Sequence, residues 1–252
     1  METDIIINRL DKTVSTNSWL RCEGMPAGCL FNVAVASYQE AGRGQKGNSW
    51  ESEAGENLLM SIMAAPDFIE ASGQFCLSEA IALAVLESVT PLLGDESRHL
   101  SIKWPNDIYW KEKKLGGILI ENTLQGHYLA DSIIGLGLNI NQTRFLSDAP
   151  NPISVAGITG VRHNVDGIMQ SVIRHFTDYY ILIHDYGIRA VHDRYMERLF
   201  RKDGYHRYLD EKGIFEARIS KVCSNGIIIL EDREGNSRNY EFKQVRAVPD
   251  NN

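Results

Sequence analysis

The sequence predicts an α+β protein in two parts, a larger part that mixes strands with helices and a small all-β part at its C-terminal end. Three observations predict this fold. Up to about residue 200, short β-branched runs alternate with segments whose apolar residues recur at helical spacing. After that point short alternating strands follow one another without a helix. The 252 residues are 43% hydrophobic and 23% charged, which suits one sizeable core or two modest ones.

The elements of the larger part follow from cap residues and hydrophobic periodicity. Ser15, Thr16 and Asn17 supply N-cap chemistry for a short helix that ends near Gly24. Apolar residues at helical spacing, with a proline near the end, predict a long helix over 72–93. The other predicted elements are strands at 5–7, 31–38, 57–64, 100–103, 108–110, 117–121 and 129–138, and helices at 166–184 and 188–200.

The last part of the chain has a different character. Residues 213–219, 226–231 and 239–245 predict short strands, with turns at 224–226 and 234–236 that contain Asn and Gly. This pattern predicts a boundary near residues 202–205. The chain is then divided into a domain of residues 1–203 and a small β domain of residues 204–252.

Composition narrows the class of protein. The formal net charge is −7 and no long Lys/Arg run is present, which argues against a general nucleic-acid or membrane-surface binder. The N-terminus does not resemble a signal peptide, and no segment is predicted to span a membrane. The four cysteines form no C-x-x-C pair, which favours buried thiols in a reducing cytoplasm over disulfides.

The loop at 39–56 contains the most unusual segment, Gly42-Arg43-Gly44-Gln45-Lys46-Gly47. It satisfies G-x-G-x-x-G, but the residues that follow are poor helix formers, which disfavours a dinucleotide site. Three glycines let backbone N–H groups approach an anion, and Arg43 and Lys46 add two cations. Trp50 offers a ring for stacking on a base. We expect an anion-binding loop, and a flexible basic surface loop is the alternative.

Three further clusters carry polar residues at strand ends. Lys103-Trp104-Pro105-Asn106-Asp107 predicts a turn that exposes an amide and a carboxylate, although an ordinary turn has the same composition. Lys114 stands beside two glycines at the entry of an apolar strand, where a surface lysine is equally typical. Gly135 and Gly137 lie in a buried strand before Asn139, and such glycines often mark the close approach of a ligand or backbone.

These clusters, in this order, resemble the biotin protein ligase family. The matching segments are Ser15-Thr16-Asn17, the Gly42-Arg43-Gly44 loop ending in Trp50, Lys103-Trp104-Pro105-Asn106-Asp107, Lys114-Leu115-Gly116-Gly117-Ile118-Leu119 and Gly135-Leu136-Gly137-Leu138-Asn139. The resemblance covers residues 10–160 closely. It implies a mixed, mostly antiparallel central sheet with helices packed on it, similar to class II aminoacyl-tRNA synthetases. It also implies a small SH3-like β-barrel at the C-terminal end.

The resemblance implies an enzyme that uses ATP and Mg²⁺ to join biotin to AMP, which gives biotinyl-5'-AMP and releases pyrophosphate. The biotinyl group then passes to one lysine of a biotin carboxyl carrier protein domain. Because the Ser-Thr-Asn motif begins at position 15, we expect the short form without an N-terminal DNA-binding domain. Such a protein has no nucleic-acid or membrane partner, is cytoplasmic, and is a monomer or a homodimer.

The site residues are carried over by the same resemblance. Lys114, Arg43 and Asp107 are implied to be catalytic, and Asp107 is also the candidate Mg²⁺ ligand and base for the acceptor lysine. The implied biotin-binding residues are Ser15, Thr16, Asn17, Gln39, Gly42, Arg43, Gly44, Gln45, Lys114, Gly117, Gly135 and Gly137. The implied ATP-binding residues are Arg43, Lys46, Gly47, Asn48, Trp50, Lys103, Asn106, Asp107 and Asn139. Gln45 and Asn48 stand where many relatives have Arg, so the loop is less positive, and we expect this to weaken its retention of the adenylate rather than to prevent the adenylate from forming.

Other functions remain open at this point. A lipoate–protein ligase or octanoyltransferase shares the implied fold and a binding lysine, but typically shows an Arg-Arg-x-x-Gly-Gly-Gly loop or a nucleophilic cysteine. Cys29 and Cys76 lie in apolar contexts without an activating His nearby in sequence. A non-catalytic binding module would leave Lys114 and Arg43 without a role. The histidines form no H-E-x-x-H motif, so no zinc site is predicted.

Overall fold

The computed structural model describes residues 4–44, 49–146 and 151–248. The strands before residue 140 are β1 (Asp4–Thr13), β2 (Cys29–Gln39), β3 (Leu58–Ala64), β4 (Leu100–Lys103), β5 (Asp107–Trp110), β6 (Lys113–Gln125) and β7 (Tyr128–Leu138). The helices are α1 (Thr16–Glu23), α2 (Cys76–Leu93), α3 (Val155–Thr159), α4 (Val165–Tyr186) and α5 (Arg189–Glu197). The remaining strands are β8 (His206–Asp210), β9 (Gly213–Val222), β10 (Ile228–Asp232), β11 (Ser237–Tyr240) and β12 (Arg246–Ala247).

The first seven strands form one sheet in the order β1-β2-β3-β7-β6-β5-β4. Strands β1 and β2 run parallel, and every other neighbouring pair of this sheet runs antiparallel. The parallel pair is possible because α1 lies in the connection between its two strands. The predicted α+β fold with a mixed, mostly antiparallel sheet is therefore confirmed.

Side-chain alternation gives this sheet two different faces. On β7, Ile134, Leu136 and Leu138 belong to the main hydrophobic core with helices α2 and α4. Gly135 and Gly137 lie between them in sequence and face the opposite side, towards α1 and the loop after β2. Helices α2 and α4 thus cover one face. On the other face, the absence of side chains at Gly135 and Gly137 lets Asn17 and Trp50 lie close to the sheet.

The last five strands form a second sheet, antiparallel throughout, in the order β11-β10-β9-β8-β12. This arrangement agrees with the small SH3-like part that the sequence predicts. Trp104 Nε1, from the turn between β4 and β5, donates a hydrogen bond of 2.9 Å to the carbonyl of Gly226 in this sheet. The two sheets therefore touch close to the predicted Asn106-Asp107 cluster, while the boundary at 203/204 stays a prediction.

Several predicted elements differ in length or were missed. β1 extends to Thr13, α2 begins at Cys76 because residues 71–73 form a separate 3-10 turn, and β6 already begins at Lys113. The missed elements are α3, β8 and β12. α3 has five residues and is capped by the Ser154 side chain, while β12 exists through its pairing with β8. Elements this short do not show the hydrophobic periodicity from which helices and strands are predicted.

Two composition-based predictions concern membrane spans and the burial of the cysteines, and the structure contradicts only the second. The stretch 71–99, which contains α2, is long and apolar enough to count as a candidate membrane span. Most of it is buried inside the fold, so burial in the core accounts for its apolar character. Of the four cysteines, all free, Cys76 is buried, whereas Cys22 is exposed and Cys29 and Cys223 are half-buried.

Candidate active site

A cavity of about 790 Å³ opens on the glycine-bearing face of the large sheet. Its walls come from α1, the loop after β2, the β4–β5 turn, and strands β6 and β7. The small sheet closes one side through residues that include Tyr208, Ile228 and Ala247. A concave site of this size, built from several elements, is typical of small-molecule binding.

One end of the cavity is a buried polar network around the start of α1. The Thr16 backbone N–H donates to Gln39 Oε1 at 2.7 Å, and the Thr16 hydroxyl lies 2.6 Å from Ser61 Oγ. Ser61 Oγ donates to Asn17 Oδ1 at 2.6 Å. Thr16, Asn17 and Ser61 are at most 3% exposed. Because these buried groups satisfy one another, their orientations are fixed before any ligand arrives.

Of the two roles predicted for Ser15, capping a helix and contacting a ligand, the structure shows no side-chain hydrogen bond for the first. Ser15 stands at the N-cap of α1 with an extended backbone (φ −162°, ψ 136°), but its side chain makes no capping hydrogen bond. Ser15 is one of the residues that line the cavity. The helix begins where the sequence predicts, and the hydroxyl stays available to a ligand. Gln39 is similar, since its oxygen accepts from Thr16 and its amide NH₂ is left to donate.

Lys114 and Asp107 form an ion pair in the cavity wall. Lys114 Nζ lies 2.7 Å from Asp107 Oδ1, and the two side chains are 25% and 23% exposed. Antiparallel pairing of β5 with β6, which sets Asp107 opposite Gly117, brings them together. A half-buried cation and a carboxylate therefore line the same cavity as the polar network.

Trp50 lies flat against the glycines of the sheet. A methyl group in place of the Gly137 hydrogen would come within 2.4 Å of the Trp50 ring, and one on Gly117 within 3.2 Å. The Lys114 ammonium lies 5.7 Å from the ring centre, within cation–π range. Trp50 Nε1 is buried and has no hydrogen-bond partner among the described residues. The glycines are thus needed for the close approach of this ring.

Arg43 lies at the mouth of the cavity and pairs with a residue that the sequence analysis did not single out. Its guanidinium donates to Ser18 Oγ at 3.0 Å and lies 3.7 Å from Glu121 Oε2. The same Glu121 oxygen accepts from Asn17 Nδ2 at 2.8 Å. Glu121 is a single charge in the apolar run of β6, and that isolation was the signal available in the sequence.

The other predicted polar residues brace the cavity wall. Lys103 Nζ donates to the Tyr109 hydroxyl at 3.0 Å, and burial lowers the pKa of Lys103. Asn106 Nδ2 donates to the Ile118 carbonyl at 2.5 Å. Asn139 Nδ2 donates to the Ile153 carbonyl at 3.1 Å, while its Oδ1 is buried without a partner in the described part of the chain. Asn139 thus keeps an unused acceptor at the cavity.

The structure brings most of the predicted site residues to one place. Gln45, Lys46, Gly47 and Asn48 lie outside the described residues. Of the rest, all line the cavity except Gly42, which packs against the Trp50 backbone instead. Within residues 4–44, 49–146 and 151–248, no group of three His, Cys, Asp or Glu side chains is placed to hold a metal ion.

Comparison with known proteins gives consistent similarities. The model of the biotin/lipoate A/B protein ligase family matches residues 30–139. The chain is 27% identical over 237 residues to the bifunctional ligase/repressor BirA of Bacillus spizizenii, covering 92% of this chain and 70% of that protein. It is 28% identical over 209 residues to the biotin–[acetyl-CoA-carboxylase] ligase of Paracoccus denitrificans, covering 80% and 84%. The biotin protein ligase of Aquifex aeolicus, solved with biotin and ATP, has a similar fold, with a TM-score of 0.77 at 22% identity over 98% of this chain and 100% of that one.

Proposed function

We propose that this chain is a biotin protein ligase, which activates biotin with ATP and passes the biotinyl group to an acceptor lysine, because residues 30–139 match the model of the biotin/lipoate A/B protein ligase family and the relatives it resembles include biotin ligases. One observation carries this proposal. A single cavity combines a fixed polar end at Thr16, a cation at Lys114 and an aromatic ring at Trp50. These features match, in order, the ureido ring of biotin, its carboxylate and the adenine base.

The polar end suits a ureido ring, which has one carbonyl and two N–H groups. The Ser15 hydroxyl and the Gln39 amide NH₂ are donors for the carbonyl oxygen. The Asn17 amide oxygen, which accepts from Ser61, keeps a second lone pair for a ring N–H. Gly135 provides the floor here, since a methyl group on it would come within 2.4 Å of Asn17 Oδ1.

The first step joins two anions. A carboxylate oxygen of biotin attacks the α-phosphorus of ATP, and the bond to the pyrophosphate oxygen breaks, which gives biotinyl-5'-AMP and pyrophosphate. Two unit charges 4 Å apart repel by roughly 1 kcal/mol in water and about 4 kcal/mol at an effective dielectric constant of 20. In the free protein Lys114 is paired with Asp107. We propose that Lys114 leaves this pair when the substrate binds and then holds the attacking carboxylate, and that Arg43 supplies the second positive charge.

The nucleotide would lie on the Trp50 side of the cavity. Trp50 offers its ring to adenine, and Lys103, Asn106 and Asn139 line the adjoining wall. Mg²⁺ is commonly held by one or two carboxylates together with substrate phosphates and water. The Asp107 carboxylate and the unpartnered Asn139 oxygen are hard oxygen donors that fit this requirement. When bound, the ion would supply positive charge at the phosphates.

The second step requires a neutral amine. The acceptor lysine attacks the acyl carbon of the adenylate, an amide bond forms, and AMP leaves. The amine must lose a proton in the process, and Asp107 is the carboxylate in the cavity wall that we assign to take it. Asp107 lies 2.7 Å from Lys114 Nζ in the free protein, so this carboxylate is next to the proposed reacting centre.

The same proposal extends to the acceptor, the oligomeric state and the location of the protein. The acceptor would be a biotin carboxyl carrier protein domain, and the protein a monomer or a homodimer. Four free cysteines suit the reducing cytoplasm. The net charge of −7 suits a ligase without a repressor function or nucleic-acid partner. A gel shift with the promoter of the organism's own biotin genes should show no complex.

The decisive measurement is exchange of radioactive pyrophosphate into ATP by the purified protein. We expect exchange that depends on biotin and on Mg²⁺. Lipoate and octanoate, tested separately, should not support it. Exchange with lipoate but not with biotin would replace this proposal by a lipoate–protein ligase of the same fold.

A further inference from the structure

Glu121 joins two groups of side chains that the proposed reaction uses separately. Its Oε2 atom accepts from Asn17 Nδ2 at 2.8 Å and lies 3.1 Å from an Arg21 nitrogen. The same oxygen lies 3.7 Å from the Arg43 guanidinium. The Glu121 side chain is 26% exposed, so this carboxylate is half-buried between the polar end of the cavity and the loop after β2.

We propose that Glu121 is a positioning residue for ligand recognition, which orients the Asn17 amide so that its oxygen accepts a ring N–H of biotin. This inference rests on the function proposed above. Glu121 does not line the cavity and acts through Asn17, which does.

The orientation follows from hydrogen-bond chemistry. An ionised carboxylate only accepts hydrogen bonds, so it must face the NH₂ end of an amide. The Asn17 oxygen then points the other way, towards Ser61 and Gly135. Ser61 is fully buried and donates its hydroxyl proton to that oxygen. Glu121 and Ser61 therefore hold the two ends of one amide.

A glutamine at position 121 would no longer fix the orientation of the Asn17 amide. Its side chain can both donate and accept, so the Asn17 amide would no longer have a single favoured orientation. The flipped amide would present NH₂ where the ligand needs an acceptor. The substitution keeps the size of the side chain, and the arginines around it stay solvated, since Arg21 and Arg43 are 55% and 46% exposed.

The test measures biotin affinity by calorimetry, without turnover, together with the kinetics of exchange. For Glu121→Gln we expect about tenfold weaker biotin binding, as for the loss of one charge-assisted hydrogen bond. The KM for biotin should rise by the same factor, while kcat and the KM for ATP stay within about twofold. Glu231→Gln is the matched control, because Glu231 is 25% exposed and pairs with Arg218 at 2.7 Å in the small sheet. It should leave all these values unchanged.

A double-mutant cycle separates positioning from general damage to the fold. If Glu121 acts through Asn17, Glu121→Gln should have less than a twofold effect on biotin affinity in an Asn17→Ala background. The same tenfold loss in both backgrounds, or unchanged affinity in the single variant, would overturn the role of Glu121. A wild-type protein that neither binds biotin nor catalyses biotin-dependent exchange would instead overturn the proposed function itself.

Discussion

The two faces of the seven-stranded sheet are made from the same strands, but one packs in the hydrophobic core and the other borders the cavity. On the helix face, Ile62, Ile134 and Leu138 belong to the main hydrophobic core together with residues of α2 and α4. On the other face, residues adjacent to these in sequence include Ser61, Gly135 and Gly137, which border the cavity network and its floor. A strand period of two residues therefore lets one stretch of chain specify a core and a binding site together.

Each face also buries polar groups, and the two sets differ in whether they belong to the cavity or to the helix-covered core. The cavity network forms a chain of hydrogen bonds from Gln39 to Glu121. On the helix face, Glu79 is 2% exposed and lies 2.7 Å from His192 Nδ1, while the nearby Tyr195 hydroxyl is buried without a partner among the described residues. We therefore expect changes on the first face to alter activity and changes on the second to alter stability.

The largest effect should come from Lys114→Ala on the cavity face. Removing the cation that we assign to the attacking carboxylate should lower the rate of biotin-dependent exchange by about 10²–10³-fold. The unfolding midpoint should stay within a few degrees. Lys113→Ala, at the exposed neighbouring position, is the control and should exchange normally. Unchanged exchange in Lys114→Ala would show that this lysine takes no part in the reaction. It would also contradict the expectation that changes on the cavity face alter activity.

Glu79 on the helix face should affect stability through pH. Burial raises the pKa of Glu79 from 4.5 to about 7, so the folded state holds this proton more tightly than the unfolded state. Its contribution is fully present below pH 4.5 and is lost as the pH rises through 7. The free energy of unfolding of wild type relative to Glu79→Gln should fall by about 3 kcal/mol between pH 4.5 and pH 8.

Urea denaturation of both proteins across this pH range checks the expectation for Glu79. A constant difference between wild type and Glu79→Gln would mean that the carboxyl does not titrate on the helix face. The KM values for biotin and ATP, measured at one pH, should be the same in both proteins, because Glu79 does not line the cavity.

The smallest effects are expected from two glycine variants on the cavity face, each of which should affect one substrate more than the other. A methyl group at Gly135 would crowd Asn17, and one at Gly137 would crowd the Trp50 ring. We expect Gly135→Ala to raise the KM for biotin about tenfold and Gly137→Ala to raise the KM for ATP about tenfold, each a loss of about 1.4 kcal/mol. Gly167→Ala, in the first turn of α4, is the control. Equal effects of the two variants on both KM values would show that the cavity does not separate the two substrates in this way.

Much of the site was predictable because its residues have unusual local contexts. Glycines inside the apolar strand at 135–137 indicated a close approach, which proves to be that of Trp50 and Asn17. The position of Lys114 next to two glycines at the start of an apolar strand indicated a candidate site residue, and Lys114 does line the cavity from β6. Such signals are local, so the sequence carries them without a fold.

Contacts between distant strands were not predictable in the same way. Ser61 is an ordinary serine in a buried strand, and only the order β3-β7-β6 and the position of α1 bring it to Asn17. Glu121 is a charge in an apolar strand, but the sequence gives no indication of its partners, which are more than 70 residues away in sequence. The small sheet also contributes Tyr208 and Ile228 to the cavity wall, although its sequence shows a separate β pattern.

The sequence by itself determined the α+β class, the residue types of the site and the resemblance that suggested a ligase, because periodicity, caps and motifs depend on neighbours along the chain. The tertiary structure decided which partners those residues have: Asp107 for Lys114, and Glu121 for Asn17 and Arg43. The reason is physical. Hydrogen bonds and ion pairs depend on distances of about 3 Å between atoms, and strand register sets those distances.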